Sequence, residues 1–272
     1  MPMQTIFYSL LKLIYGSFML EQGLLIVVEG ADGTGKSTQA NLLQERLQKN
    51  GFQVIRGKHP NKETPFGQIV YRYLAGEFGP INTLPVELIF ELYSLDRYSF
   101  KLEYEQALKD GKIILLDRYI ESGIAYQGSL FQGKDKERFI QWMKEVESRM
   151  PQANAIIFLD LPSQVNEKLL KKKDEKGEDR EYLKKSGKKK DIQEEQTDLQ
   201  EKVRQSYLKM ASEEQRFIMI DCVKKNFNDI KIRSIEEIHR EIWEKIEGLI
   251  NQQKLLKWKP FSCGMIEDHI FR

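Results

Sequence analysis

The chain has 272 residues and carries 43 Lys or Arg against 41 Asp or Glu, a net charge of +2. That length allows one large domain or two small ones, and 40% apolar with 31% charged residues is the composition of a folded chain, not a disordered one. The near-balance of charge argues against a dedicated nucleic-acid binder, two cysteines exclude a disulfide scaffold and a four-thiolate zinc site, and three histidines without a His-x-x-x-His pair argue against a zinc hydrolase.

Residues 1–22 form a leader in which Lys12 is the only charged side chain before residue 21. Ile6-Phe7-Tyr8 and Leu10-Leu11 have the character of a short signal core, but no small-residue cleavage site follows and no Arg is present for a transit peptide. A clipped leader and an added packing segment both stay open, as does a start at Met19. No apolar run reaches 18 residues, so no membrane span is expected.

Leu24-Leu25-Ile26-Val27-Val28, bounded by glycines, reads as a buried parallel strand. Leu42, Leu43 and Leu47 give a helical spacing closed by Asn50-Gly51, and residues 52–55 read as a second strand. Periodicity predicts a helix over 84–109, a third strand over 113–116 and a helix over 139–150. Ala155 to Leu159 and Phe217 to Ile220 are further strands, and residues 235–250 form a closing amphipathic helix. Strands alternating with helices predict an α/β domain with a parallel sheet, whose ligands lie beyond the carboxyl ends of its strands. Residues 168–190 differ in composition, with eleven Lys or Arg, five Asp or Glu and few apolar side chains. They read either as a solvated loop or as a mobile lid over a polyphosphate.

The chemistry begins at Gly30-Ala31-Asp32-Gly33-Thr34-Gly35-Lys36-Ser37-Thr38, a complete phosphate loop between a strand and a helix. Its glycines let backbone N–H groups turn inward around an anion, and the helix N-terminus adds its positive end. Lys36 is expected at the β- and γ-phosphates and Ser37 at Mg²⁺. The loop alone implies ATP or GTP; Asn61-Lys62-Glu63-Thr64 lacks the Asp of a guanine-reading motif and lies too early, after the second strand, so it is not read as one. The second site is Asp117-Arg118-Tyr119, at the mouth of the third strand. Asp117 can hold a metal-bound water and Arg118 can fork onto a phosphate; the plainer alternative is that the two only pair with neighbours. By position, Cys222 to Lys225 is expected to border the adenine, with Cys222 a small buried side chain.

Together the phosphate loop with Asp32, Thr38-Gln39, Asp117-Arg118-Tyr119, Ser122-Gly123, Ala125-Tyr126-Gln127-Gly128, Leu92-Tyr93-Ser94-Leu95-Asp96-Arg97 and Ile157-Phe158-Leu159-Asp160-Leu161 resemble the thymidylate kinase family. The resemblance runs from about residue 23 to residue 250. It implies a three-layer P-loop NTPase fold, a five-stranded parallel sheet flanked by helices, with a lid at about 168–190 and a tail at 251–272. It implies Mg-assisted phosphorylation of dTMP by ATP, in a cytoplasmic homodimer without nucleic-acid or membrane partners. Tyr93 would stack on the thymine, Arg97 would bond the base edge, Arg118 would clamp the acceptor phosphate and Tyr126 would crowd the position of a ribose 2′-hydroxyl. Gln127 would lie near the base, and Asp32 would meet the sugar or orient a cation. Ser37 and Asp117 would serve the metal.

Two departures from the family pattern stand out. Lys62 takes the place of an acceptor-phosphate Arg, and a Lys lacks the same bidentate fork. Gly33 stands where some members carry a catalytic Arg, so the resemblance moves that role to the lid, to Arg180, with Arg204 in reserve. His59 reads as a packing or hydrogen-bonding residue. The alternatives are another nucleoside monophosphate or deoxynucleoside kinase, or a non-catalytic nucleotide- or nucleic-acid-binding module.

Overall fold

The first strand shows how the layers arise. β1 (Leu24–Glu29) is buried along its whole length. Leu24, Ile26 and Val28 join one apolar cluster, while Leu25 and Val27 join another on the opposite face. A strand apolar on both faces needs cover on both sides, the condition of a parallel sheet. The computed structural model describes residues 20, 22–81, 83–166, 197–226 and 229–255. In it β1 pairs in parallel with β3 (Ile113–Asp117) and β4 (Ala155–Asp160). β2 (Val54–Lys58) flanks β3 and β5 (Phe217–Asp221) flanks β4, giving the order β2-β3-β1-β4-β5.

With helices also numbered in chain order, α1 (Lys36–Lys49) and α8 (Ile235–Leu255) cover one face. Leu43 and Leu47 of α1 and Ile238, Ile242 and Ile246 of α8 pack with Leu24 and Ile26. On the other face α4 (Lys101–Lys109) sets Tyr104 and Ala107 against Leu25 and Val27. Beside them Phe158 of β4 stacks on Tyr207 of α7 (Thr197–Glu213), with ring centroids 5.1 Å apart. The result is the three-layer α/β arrangement expected from the sequence.

The boundaries differ where one apolar stripe serves two surfaces. The span 84–109, expected as one helix, is two: α3 (Val86–Tyr98) and α4, broken at Ser99–Phe100. α3 buries Ile89, Phe90 and Arg97, whereas α4 buries Tyr104 and Ala107 toward the sheet; one straight helix cannot do both. The second strand runs over 54–58 instead of 52–55, because pairing with β3 continues to Lys58 opposite Asp117. As an edge strand it is only half-buried and shows little apolar pattern. The helix expected over 139–150 is α6 (Gly133–Val146), whose polar first turn hid its start. Cys222 to Lys225 leads into an unforeseen antiparallel hairpin, β6 (Val223–Asn226) with β7 (Asp229–Ile232), its lysines masking the alternation. Cys222 is buried, and burial pushes its thiol up to about 12. The closing helix continues past Ile250 to Leu255. Among the described residues no helix is long and apolar enough to cross a membrane.

Candidate active site

The strand order fixes where a ligand can sit. From β1 the chain leaves toward β2, and from the neighbouring β3 it leaves toward β4. The two connections run in opposite directions on opposite faces of the sheet, to α1 on one face and to Tyr119 and Ile120 on the other, and leave a crevice beyond the carboxyl ends of β1 and β3. The phosphate loop follows β1, and Asp117 with Arg118 closes β3.

The loop needs its glycines. Gly30, Gly33 and Gly35 have φ of +148°, +82° and +88°, values that side chains resist. A Cβ on Gly30 would also lie 2.9 Å from the Leu159 carbonyl oxygen. Lys36 opens α1 and curls back, donating from Nζ to the Ala31 carbonyl at 2.7 Å, while Thr34 Oγ1 donates to the same oxygen at 3.0 Å. Burial lowers the Lys36 pKa to about 8, with Arg118 adding to the effect and Asp32, Asp117 and Glu29 opposing it. Ser37 Oγ donates to Asp117 Oδ2 at 2.5 Å, and Asp117 Oδ1 is buried without a partner. Thr38, next along, is exposed.

A second group joins the loop to the end of β3. Arg118 Nη2 bonds Asp32 Oδ1, and it donates to Tyr126 Oη at 3.0 Å. Tyr126 of α5 (Ile120–Tyr126) in turn donates to Asp32 Oδ2 at 2.8 Å. Burial works against the Asp32 charge, but Arg118 and Lys36 beside it hold its carboxyl far below the usual range. Burial likewise opposes the charge of Arg118, and Asp32 overrides it, so the guanidinium stays protonated. The triangle forms one wall of a cleft of about 470 Å³ including its open mouth. Of the seven residues assigned to the acceptor, Asp32, Tyr93, Arg97, Arg118, Tyr126 and Gln127 line this cleft. Lys62 does not; it is exposed, and its role on the acceptor phosphate gains nothing from the geometry.

A phosphate loop and the cleft thus share Asp32, and comparison with known proteins shows the family. The family model described as thymidylate kinase matches residues 28–242. The chain belongs to the thymidylate kinase family. It is 34% identical to a thymidylate kinase of Halothermothrix orenii, over 84% of this chain and 99% of that one. With a probable thymidylate kinase of Thermococcus gammatolerans it shares 31% over 86% and 98% of the two chains. The solved thymidylate kinase structure of Candida albicans superposes with a TM-score of 0.63 at 26% identity, over 85% of this chain and 93% of that one.

Two residues stand differently from what the motifs alone imply. Arg97 is 1% exposed, and its Nε (2.8 Å) and Nη2 bind Glu147 Oε1, so part of the expected base-reading fork is committed to an ion pair. Arg204, the reserve lid cation, makes a two-pronged bond to Asp160 at 2.7 and 2.9 Å. Arg180, with residues 168–190, lies outside the described residues. His59, expected as a packing or hydrogen-bonding residue, is hydrogen-bonded on both ring nitrogens, with Nδ1 2.8 Å from Asp96 Oδ2 and Nε2 3.0 Å from Tyr104 Oη, and it also lines the cleft. Burial depresses its pKa, which the Asp96 hydrogen bond opposes.

Four polar residues near the site went unread. Arg56 on β2 comes within 3.9 Å of Asp117 Oδ2. Asn166 binds the Asp32 carbonyl from its side chain. Glu147 and Arg97 are 50 positions apart, and no local pattern announces such a pair. Glu29 did carry a signal: like Asp117, Asp160 and Asp221, it is an acid ending a strand, at the mouth of the crevice.

Proposed function

We infer that this chain transfers the γ-phosphoryl group of ATP to dTMP, forming dTDP and ADP. The observation that carries the reading is the shared wall: Asp32 belongs to the phosphate loop and, with Arg118 and Tyr126, lines the acceptor cleft. Donor and acceptor phosphates bound on its two sides meet across it. An acceptor-phosphate oxygen attacks the γ-phosphorus, the bond from that phosphorus to the β,γ-bridging oxygen breaks, and ADP leaves with those electrons. The acceptor is already an anion, so no general base is needed.

The residues act by position and charge. Lys36 is protonated at pH 7 and neutralises the β- and γ-phosphates, while Arg118 holds the acceptor phosphate in line. Tyr93 covers one face of the thymine, Arg97 and Gln127 meet its edge, and Tyr126 occupies the space a 2′-hydroxyl needs.

The donor set fits Mg²⁺. Ser37 offers a hydroxyl, and Asp117 keeps one carboxylate oxygen buried and unpartnered beside it. Among the described residues no cluster of three His, Cys, Asp or Glu is placed for a metal; Mg²⁺ bound to nucleotide takes most of its ligands from phosphate and water. Ser37 and Asp117 would hold it, and it would supply positive charge to offset that of the phosphates.

A homodimer is also proposed. Leu88 and Leu95 lie seven residues apart, on one side of α3, and are 46% and 41% exposed. Two such faces buried together would account for them, in a cytoplasmic dimer. Steady-state assays with ATP and dTMP, dUMP, UMP, CMP or thymidine test the reaction; turnover of UMP or thymidine equal to that of dTMP would refute it.

A further inference from the structure

We propose that Glu29 is the positioning residue that holds Arg118 in its working conformation. The proposal rests on the reading of Arg118 as the clamp on the acceptor phosphate.

Arg118 has φ +68°, the one positive value at a non-glycine among the described residues. That conformation sets the Cβ against a carbonyl oxygen, so it persists only where the surroundings enforce it. Two backbone bonds bracket the residue. Its own N–H donates to the Val28 carbonyl at 3.1 Å, and the next N–H, of Tyr119, donates to Glu29 Oε1 at 2.8 Å. The other Glu29 oxygen reaches the side chain. Oε2 accepts from Ser122 Oγ and from Tyr207 Oη, each at 2.7 Å. Ser122 Oγ in turn accepts from Arg118 Nη1 at 3.2 Å. One carboxylate therefore fixes Arg118 from both ends, its main chain through Tyr119 and its guanidinium through Ser122.

The cost of burial makes this arrangement specific. Glu29 is fully buried and does not line the cleft. A buried carboxylate is tolerated when its oxygens are satisfied, and here three donors satisfy them. Its length matters too, because Oε1 and Oε2 must reach different elements at once. Glu29→Asp keeps the charge and shortens the reach by one methylene, so the two ends cannot both be held. Tyr207→Phe removes one of the three donors that fix Glu29 and so loosens its hold on Arg118 without cutting it.

Steady-state kinetics of the full chain provide the test, read separately for dTMP and ATP. Glu29→Asp is expected to lower kcat/KM for dTMP by at least about tenfold, the loss of roughly one charge-assisted hydrogen bond. The KM for ATP stays within about twofold, since the phosphate loop keeps its own bonds. Ser122→Ala, which cuts only the guanidinium arm, is expected to cost about fivefold on dTMP, and Tyr207→Phe about threefold. Unchanged dTMP kinetics in these variants would overturn the proposal. So would a KM for ATP that rises in step with that for dTMP, the mark of general loosening. If Glu29→Asp does not fold, the two milder variants decide by the same criteria. An unsubstituted protein that fails to phosphorylate dTMP would overturn the functional reading and this inference with it; normal turnover alongside unchanged variants overturns the inference alone.

Discussion

Lys36 holds a positive charge in a place that disfavours it, as its pKa of about 8 records. A depressed folded-state value means stability that is complete at high pH and falls away as pH drops through about 8, so below that pH the buried charge is a cost to the fold. Lys36→Ala should lower kcat by at least about a thousandfold in an ADP-release assay while leaving the fold intact. Glu121 shows the opposite sign. Burial, with Glu29 nearby, raises its carboxyl to about 8, so its contribution is complete below the ordinary carboxylate range and is lost as pH rises toward 8. Glu121→Gln should therefore flatten the fall in melting temperature between pH 5 and 8; an unchanged slope would contradict the assignment. Arg97 belongs at this scale as well. Arg97→Ala should reduce the preference for dTMP over CMP by about tenfold or more in kcat/KM, and the unpaired Glu147 should lower stability at the same time.

The elements were legible where the periodicity is clean. β1, β3 and β4 are continuous apolar runs buried on both faces, and the sequence marks them to within a residue or two. Edge strand β2 and the lysine-bearing hairpin β6–β7 blurred or escaped because exposure removes the alternation. The break at Ser99–Phe100 escaped because each half of 84–109 keeps helical spacing while turning to a different layer. In the site, the short-range motifs were readable and the long-range pairs were not: Arg118 follows a strand end, whereas the Arg97–Glu147 and Asp160–Arg204 pairs exist only after folding. Core packing at this scale gives its own prediction. Ile26→Ala, at a fully buried position of β1, should cost about 2–5 kcal/mol in urea unfolding, because a cavity remains between α1 and the sheet. Gly30→Ala should disable nucleotide binding, since both its φ and the Leu159 carbonyl exclude a methyl group.

At the scale of the whole molecule, the net charge of +2 is a sum of unlike parts. Residues 168–190 carry +6 and the rest of the chain −4, so the net excess of positive charge lies in one segment. In the described part, Asp32 belongs both to the loop after β1 and to the lining of the cleft. If the α3 leucines meet across a dimer, sedimentation should give twice the 32.0 kDa chain mass, and Leu88→Glu with Leu95→Glu should return a monomer. The claim on which the rest depends is the acceptor. Initial rates with Mg²⁺ and ATP against dTMP, dUMP, UMP, CMP and thymidine, with the product identified by chromatography, test it most directly. The account predicts dTDP as product and the highest kcat/KM for dTMP; an equal or higher value for UMP or thymidine would contradict it.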